Sequence, residues 1–254
     1  GNATNTQILN CHNRAEILAT KGYAGGISGA SMGEGKIENC SNSGNISSNE
    51  YVNDVKDTFI GGIVGITETE LLNCQNNGNV SSVYSATGGI VGATYNKVNN
   101  CTNYGEITVT GENINGDATL GGVIGYIWTS GKSITNCSNN GKITSFGRCT
   151  GGIIGITEEV QVAKCVNNGE IVSNSSYVGG IVGNSGAQIL NCYNSANIKA
   201  GKDDNGNSAV GGIAGELFES EDNKIENCYN IGTIYGTGDH VAGIVSAIFG
   251  GSIE

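Results

Sequence analysis

The sequence predicts an all-β chain, a parallel β-solenoid of about eight coils with roughly three short strands each. Three observations carry the prediction. One residue pattern recurs eight times, no stretch holds a helical period, and the 254 residues include 43 glycines and no proline.

The recurring pattern is anchored on Cys11, Cys40, Cys74, Cys101, Cys137, Cys165, Cys192 and Cys228. Three residues before each stands an apolar side chain, as in Ile37, Leu71, Val98 and Ile134. Asparagine follows two positions later in every coil, from Asn13 and Asn42 to Asn194 and Asn230. Glycine or alanine comes four later and Ile or Val six later, as in Gly78 and Val80. A second block, Gly-Gly-Ile-Val-Gly in its commonest form, begins at Gly25, Gly61, Gly88, Gly121, Gly151, Gly179 and Gly211, with a weaker copy at Ala242. Self-similarity with a period of 27 to 36 residues marks stacked supersecondary units, none of which can bury its apolar face alone.

Short segments rich in Ile, Val, Thr and Ser, separated by Asn and Gly, read as short strands joined by turns. Each coil supplies an Ile-x-Asn-Cys strand, a Gly-x-Ile-x-Ser strand and a Gly-Gly-Ile-Val-Gly strand. Strict alternation would put the adjacent Ile and Val of the last block on opposite faces, so which of them points inward stays open. The absence of proline suits strands that need every N–H for pairing. At about 4.8 Å per strand, eight coils give a rod of roughly 38 Å.

Segments such as Gly61-Gly62-Ile63-Val64-Gly65 followed by Leu72-Asn73-Cys74-Gln75-Asn76-Asn77-Gly78-Asn79-Val80 resemble the GLUG repeat of bacterial surface proteins. That repeat also precedes the protease domain of IgA-specific metallopeptidases. The resemblance extends over essentially the whole chain and implies a right-handed β-helix on an exported or surface-attached bacterial protein. It does not extend to peptidase chemistry: with His12 and His240 as the two histidines, no His-Glu-x-x-His pattern is present.

The unbroken register makes residues 1–254 one repeat array, read as a segment of a longer protein. Gly251-Ser252-Ile253-Glu254 matches the start of another cysteine strand, whereas a complete array needs a polar terminal cap. A net charge of −11 and only Arg14 and Arg148 as arginines, with a pI near 4.6, argue against nucleic-acid binding. The same charge disfavours anionic membranes, and no apolar run is long enough to insert.

One cysteine per coil at a fixed place reads as a stacked core column of small apolar side chains. Coil spacing also leaves pairwise disulfides open. Cys149 lies outside the column and is expected to be the exposed thiol. The asparagine column is expected to form a structural amide ladder. Glycosidase chemistry needs two carboxyls roughly 5 to 10 Å apart, and the outward file Glu106, Lys142 and Glu170 reads instead as an alternating surface ion-pair ladder.

Binding is therefore expected at the corners. Three insertions, 48–59, 110–119 and 200–209, share one corner and carry Asp54, Asp57, Asp117, Asp203 and Asp204; loops on a rigid scaffold are where sites tend to lie. The Asp203–Asn207 run lacks EF-hand spacing and reads as a solvated turn, so no metal or cofactor is expected. A second corner carries Tyr95, Trp128, Phe218 and Phe249, aromatics able to stack on a sugar or a partner protein, or to pack half-buried. The functional expectation is a non-catalytic structural or adhesive module, extracellular or on the cell surface, meeting a host glycan or surface protein. The alternative is a carbohydrate-active β-helix enzyme.

Overall fold

The corner that starts each coil is made by the residue before its cysteine. Asn10, Asn39, Asn73, Asn100, Asn136, Lys164, Asn191 and Asn227 all have φ between 52° and 55°, the left-handed conformation that asparagine tolerates better than most side chains. This turn folds the expected Ile-x-Asn-Cys strand into two. The computed structural model describes residues 7–49, 58–83, 86–111, 118–202, 208–218, 220 and 223–254, with the backbone of 2–4. Among them every strand pairing is parallel, and the strands stack into five sheets of eight or nine strands.

We number the sheets in chain order within one coil. In the coil that begins at Glu70, sheet I contributes Glu70–Leu72, sheet II Gln75–Asn76, sheet III Val80–Ser82, sheet IV Ala86–Gly88 and sheet V Val91–Thr94. The three expected strands per coil are therefore five, because the first and third are each bent at a corner. Equivalent residues stack in register from coil to coil: Ile37 pairs with Leu71, Leu71 with Val98, and Val98 with Ile134. No helix among the described residues is long and apolar enough to cross a membrane.

The second bend settles the facing of the Gly-Gly-Ile-Val-Gly block. Between sheets IV and V the N–H groups of both Ile63 and Val64 donate to the carbonyl of Ile90, at 2.9 and 3.1 Å. Ile90 and Val91 repeat this on Val123. Two successive donors on one acceptor break the alternation of a flat strand, so the neighbouring Ile and Val columns both point into the core and are fully buried from Ile63 and Val64 to Ile213 and Ala214.

Inside the rod the asparagine column forms an unbroken ladder. The Nδ2 of Asn13 donates to Oδ1 of Asn42, Asn42 to Asn76, Asn76 to Asn103, Asn103 to Asn139, Asn139 to Asn167, Asn167 to Asn194 and Asn194 to Asn230, all at 2.7–2.9 Å. Asn76 also donates to the carbonyl of Gly78 and accepts from its N–H, and Asn139 does the same with Gly141. A buried amide in this column thereby uses both donors and both acceptor sites.

Two glycine columns make room for the ladder. A methyl on Gly78 or Gly105, four after the cysteine, would overlap the carbonyl oxygen of the preceding coil's Gly44 or Gly78. A methyl on Gly62, Gly89 or Gly122, the second glycine of its block, would overlap both the next coil's glycine carbonyl and the carboxamide of Asn76, Asn103 or Asn139. The two repeated blocks therefore meet at this place, the amide of one against the bare Cα of the other. This seam divides the interior into two apolar columns. The larger holds Ile37, Leu71, the buried cysteines of the repeat column from Cys40 to Cys192, and Ile63 and Val64 with their equivalents. The smaller holds Ile46, Val80, Ile107, Ile60 and Leu120. Each fully buried branched side chain contributes about 1.5–3 kcal/mol, repeated coil by coil.

The seam predicts opposite outcomes for two chemically identical substitutions. Gly122→Ala should lose on the order of 3 kcal/mol or more, as overpacking against backbone does, in urea unfolding followed by circular dichroism. Gly243→Ala, in a weaker copy of the block where nothing lies within 4 Å of an added Cβ, should change stability by less than about 1 kcal/mol. Equal costs at the two positions would contradict the packing described.

Candidate ligand-binding face

Sheets IV and V meet at the Gly62-Ile63 bend with their outer faces turned toward each other. The geometry follows from contacts: Phe59, outward on sheet IV, packs with Ala30, Ile66 and Ala93, outward on sheet V. Two sheets whose outer residues touch enclose a concave face that runs along the rod. Its sheet IV column reads Tyr23, Phe59, Ala86, Thr119, Cys149, Tyr177, Ala209 and His240. The facing column reads Ala30, Ile66, Ala93, Tyr126, Ile156, Asn184, Glu216 and Ala247. Unlike the core columns, these do not repeat, so this face is where one coil differs from the next.

Its first half is aromatic. Trp128 follows directly on the strand Ile124–Ile127 and lies on Tyr126 with ring centroids 4.5 Å apart. It stacks on Tyr95 at 5.3 Å and meets Phe59 edge-on at 5.0 Å, while Phe59 stacks on Tyr23 at 5.4 Å. Phe59 lies two coils before Trp128, and the intervening coil carries Ala86 and Ala93 in the two facing columns. Their small side chains let the indole reach across. Phe59 is 6% exposed and anchors the cluster, whereas Tyr23 and Tyr95 are 37% and 39% exposed and present ring surface to solvent.

The second half is polar. Asn184 is buried and donates from Nδ2 to Oε1 of Glu216 at 3.0 Å. The Tyr177 phenol lies close enough to Glu216 to favour its ionised form. Burial raises the Glu216 carboxyl above the ordinary glutamate range, against the opposing pull of Asn184, Tyr177 and Arg148. Burial and the charge of Glu158 raise the Tyr126 phenol, whose hydroxyl lies 3.4 Å from Glu158 Oε1. The face thus presents flat rings at one end and planar hydrogen-bonding groups at the other, with Arg148 exposed at its margin.

The sequence-based expectations fare differently. Trp128 lies at the centre of the aromatic cluster. Phe218 is apart from it, its ring lying against Gly186, and Phe249 stands out at 65% exposure. The three insertions all leave sheet III and re-enter at sheet IV, but Asp54, Asp57, Asp117, Asp203 and Asp204 lie outside the described residues. Of the expected alternating ion-pair file only Lys142–Glu170 forms among the described residues, at 3.0 Å and half exposed, a pair worth well under about 1 kcal/mol. Tyr23, Phe59, Tyr126, Tyr177, Asn184 and Glu216 were missed. An aromatic two residues before the Gly-Gly pair in three coils was the available signal.

The cysteines correct one expectation. Cys149 is fully buried beneath this face, not exposed, because its column packs against sheet V; burial pushes its thiol up to about 12. All nine cysteines are free thiols. Cys74 donates from Sγ to the carbonyls of Leu72 at 3.3 Å and Ile37 at 3.6 Å, a weak bond repeated at Cys40, Cys137 and Cys192. Cys11 is exposed and Cys228 half-buried, one at each end of the column.

Two segments, 22–47 and 174–199, match the family model of the GLUG motif. Among solved structures the chain is similar to a crystal structure described as that of a putative immunoglobulin A1 protease from Bacteroides ovatus, with 23% identity and a TM-score of 0.58. That match covers 77% of this chain and 60% of the other, so the chain spans less than two thirds of its neighbour, and the likeness is one of fold. No curated protein matches the chain at sequence level.

Thiol labelling checks the burial pattern. In native protein at pH 8 a small disulfide reagent should modify Cys11 rapidly and Cys228 more slowly, with the other seven reacting only after unfolding. Rapid native labelling of Cys149 would contradict its place beneath the concave face. The residues in register with segments 22–47 and 174–199 recur from coil to coil, and the chain carries two matches to the GLUG motif within a parallel β-solenoid.

Proposed function

We propose that this array is a non-catalytic structural and adhesive module of a secreted or cell-surface bacterial protein, holding a binding face at a fixed distance from its attachment. The observation that carries the reading is the division of labour among columns. Among the described residues the inward columns hold apolar packing residues, small buried hydroxyls such as Thr94 and Thr150, or the saturated amide ladder, and the aromatic and charged side chains are confined to the outer faces. A repeat array of this kind is stabilised by nearest-neighbour contacts and gives an extended surface. The outward acidic and basic residues pair weakly along the sheets, as Lys142 does with Glu170, and a host glycan or surface protein is the class of partner such a face would meet.

Glu216 is the residue an enzyme on this face would employ, since its raised carboxyl resembles a general acid. Acid–base hydrolysis needs a second carboxyl at a defined separation. The carboxylate nearest to it along this face, Glu158, is engaged with the Tyr126 hydroxyl, and we read both as binding groups. The test is incubation with a panel of plant and host polysaccharides, followed by assays for new reducing ends and for unsaturated products. No product should accumulate above a buffer control. Release of product that disappears in Glu216→Gln would overturn the non-catalytic reading.

A further inference from the structure

We propose that the concave face between sheets IV and V binds an uncharged oligosaccharide laid along the rod axis, its sugar rings against Tyr23, Tyr95 and Trp128 and its hydroxyls toward Tyr177, Asn184 and Glu216. The proposal rests on the module reading above and names its ligand class and site.

Four observations select this occupant. First, the aromatic end is open: Tyr23 and Tyr95 keep more than a third of their surface in solvent, while Phe59 beneath them is held by rings on two sides. Such a platform offers ring faces to the C–H side of a pyranose. Second, the same face continues into groups that are planar and hydrogen-bonding. Asn184 holds the Glu216 carboxylate in place beside the Tyr177 phenol, leaving it acceptor sites for hydroxyl donors. A ligand must therefore be apolar on one side and rich in hydroxyls on its edges, which describes a carbohydrate and not an aliphatic chain. Third, the charge is wrong for an acidic polymer. Glu158 and Glu216 line the face, and the chain carries −11 overall, so a uronate or sulfated strand would be repelled. Fourth, the two ends lie in successive coils of one pair of columns. A ligand touching both must run parallel to the axis.

The chain has a single tryptophan, Trp128, so its emission reports on this face alone. The whole chain is titrated with neutral hexasaccharides of gluco, manno and galacto configuration, and separately with oligogalacturonate and oligolysine. At least one neutral hexasaccharide should shift or quench the emission to saturation. Tyr95→Ala should weaken that binding at least tenfold, and Asn184→Ala should weaken it less, with an unchanged far-ultraviolet spectrum in both variants. Lack of any response to all neutral sugars would overturn the proposal, as would saturation by oligogalacturonate or oligolysine alone, or undiminished affinity in Tyr95→Ala. Absence of binding without polysaccharide turnover would sink this assignment and leave the structural module standing, whereas turnover would sink the module reading itself.

Discussion

Everything in this rod is arranged around the seam where the asparagine ladder lies on the glycine columns. A primary amide sealed from water must satisfy two donors and two acceptor sites, and each group left unpaired would cost about 1–3 kcal/mol. One residue alone cannot meet that demand. The ladder meets it by translation: each amide donates to the next coil, accepts from the previous one, and closes the remaining pair on the backbone two residues ahead. Because every link runs in the same direction, the dipoles add, and such chains reinforce one another. The arrangement tolerates neither a coil of different height nor a shift of register, so it fixes both.

The glycines follow from the ladder. Bare Cα positions on two columns let the coils approach until amide, carbonyl and backbone are in contact. Forty-three glycines would burden an ordinary domain with conformational entropy; here their repetition is the geometric consequence of one contact made in every coil. The apolar columns on either side then supply most of the driving force, and the thiols fill the larger of them as compact hydrophobes with weak donors.

This logic also explains what could be read from the sequence. Columns imposed by stacking repeat in every coil, so the cysteine, asparagine, glycine and Ile/Val positions stood out, and the solenoid with them. Bends left a fainter mark. The left-handed residue before each cysteine is asparagine in seven coils and Lys164 in the eighth, yet it sat inside what looked like one strand, and three strands became five. Likewise, nothing in the alternation of Ile63 and Val64 showed that a shared carbonyl turns both inward. The concave face was least legible for a physical reason: residues such as Tyr126, Asn184 and Glu216 occupy one column but lie on an outer face, where core stacking imposes no repetition to flag them. Trp128 was noticed as a corner aromatic, while the small Ala86 and Ala93 that admit it carried no signal.

The seam is tested most directly by comparing the same deletion at its middle and at its end. Asn103 is buried with amides on both sides, whereas Asn13 is partly exposed, with its inter-amide bond to Asn42 alone. Equilibrium urea unfolding of Asn103→Ala and Asn13→Ala, at constant m-value, should show a loss of about 2–4 kcal/mol at Asn103 and under about 1 kcal/mol at Asn13, since only the first leaves buried groups without partners on both sides. Equal and small losses at the two positions would mean that the ladder is a passenger of apolar stacking and not the constraint on which the rod depends.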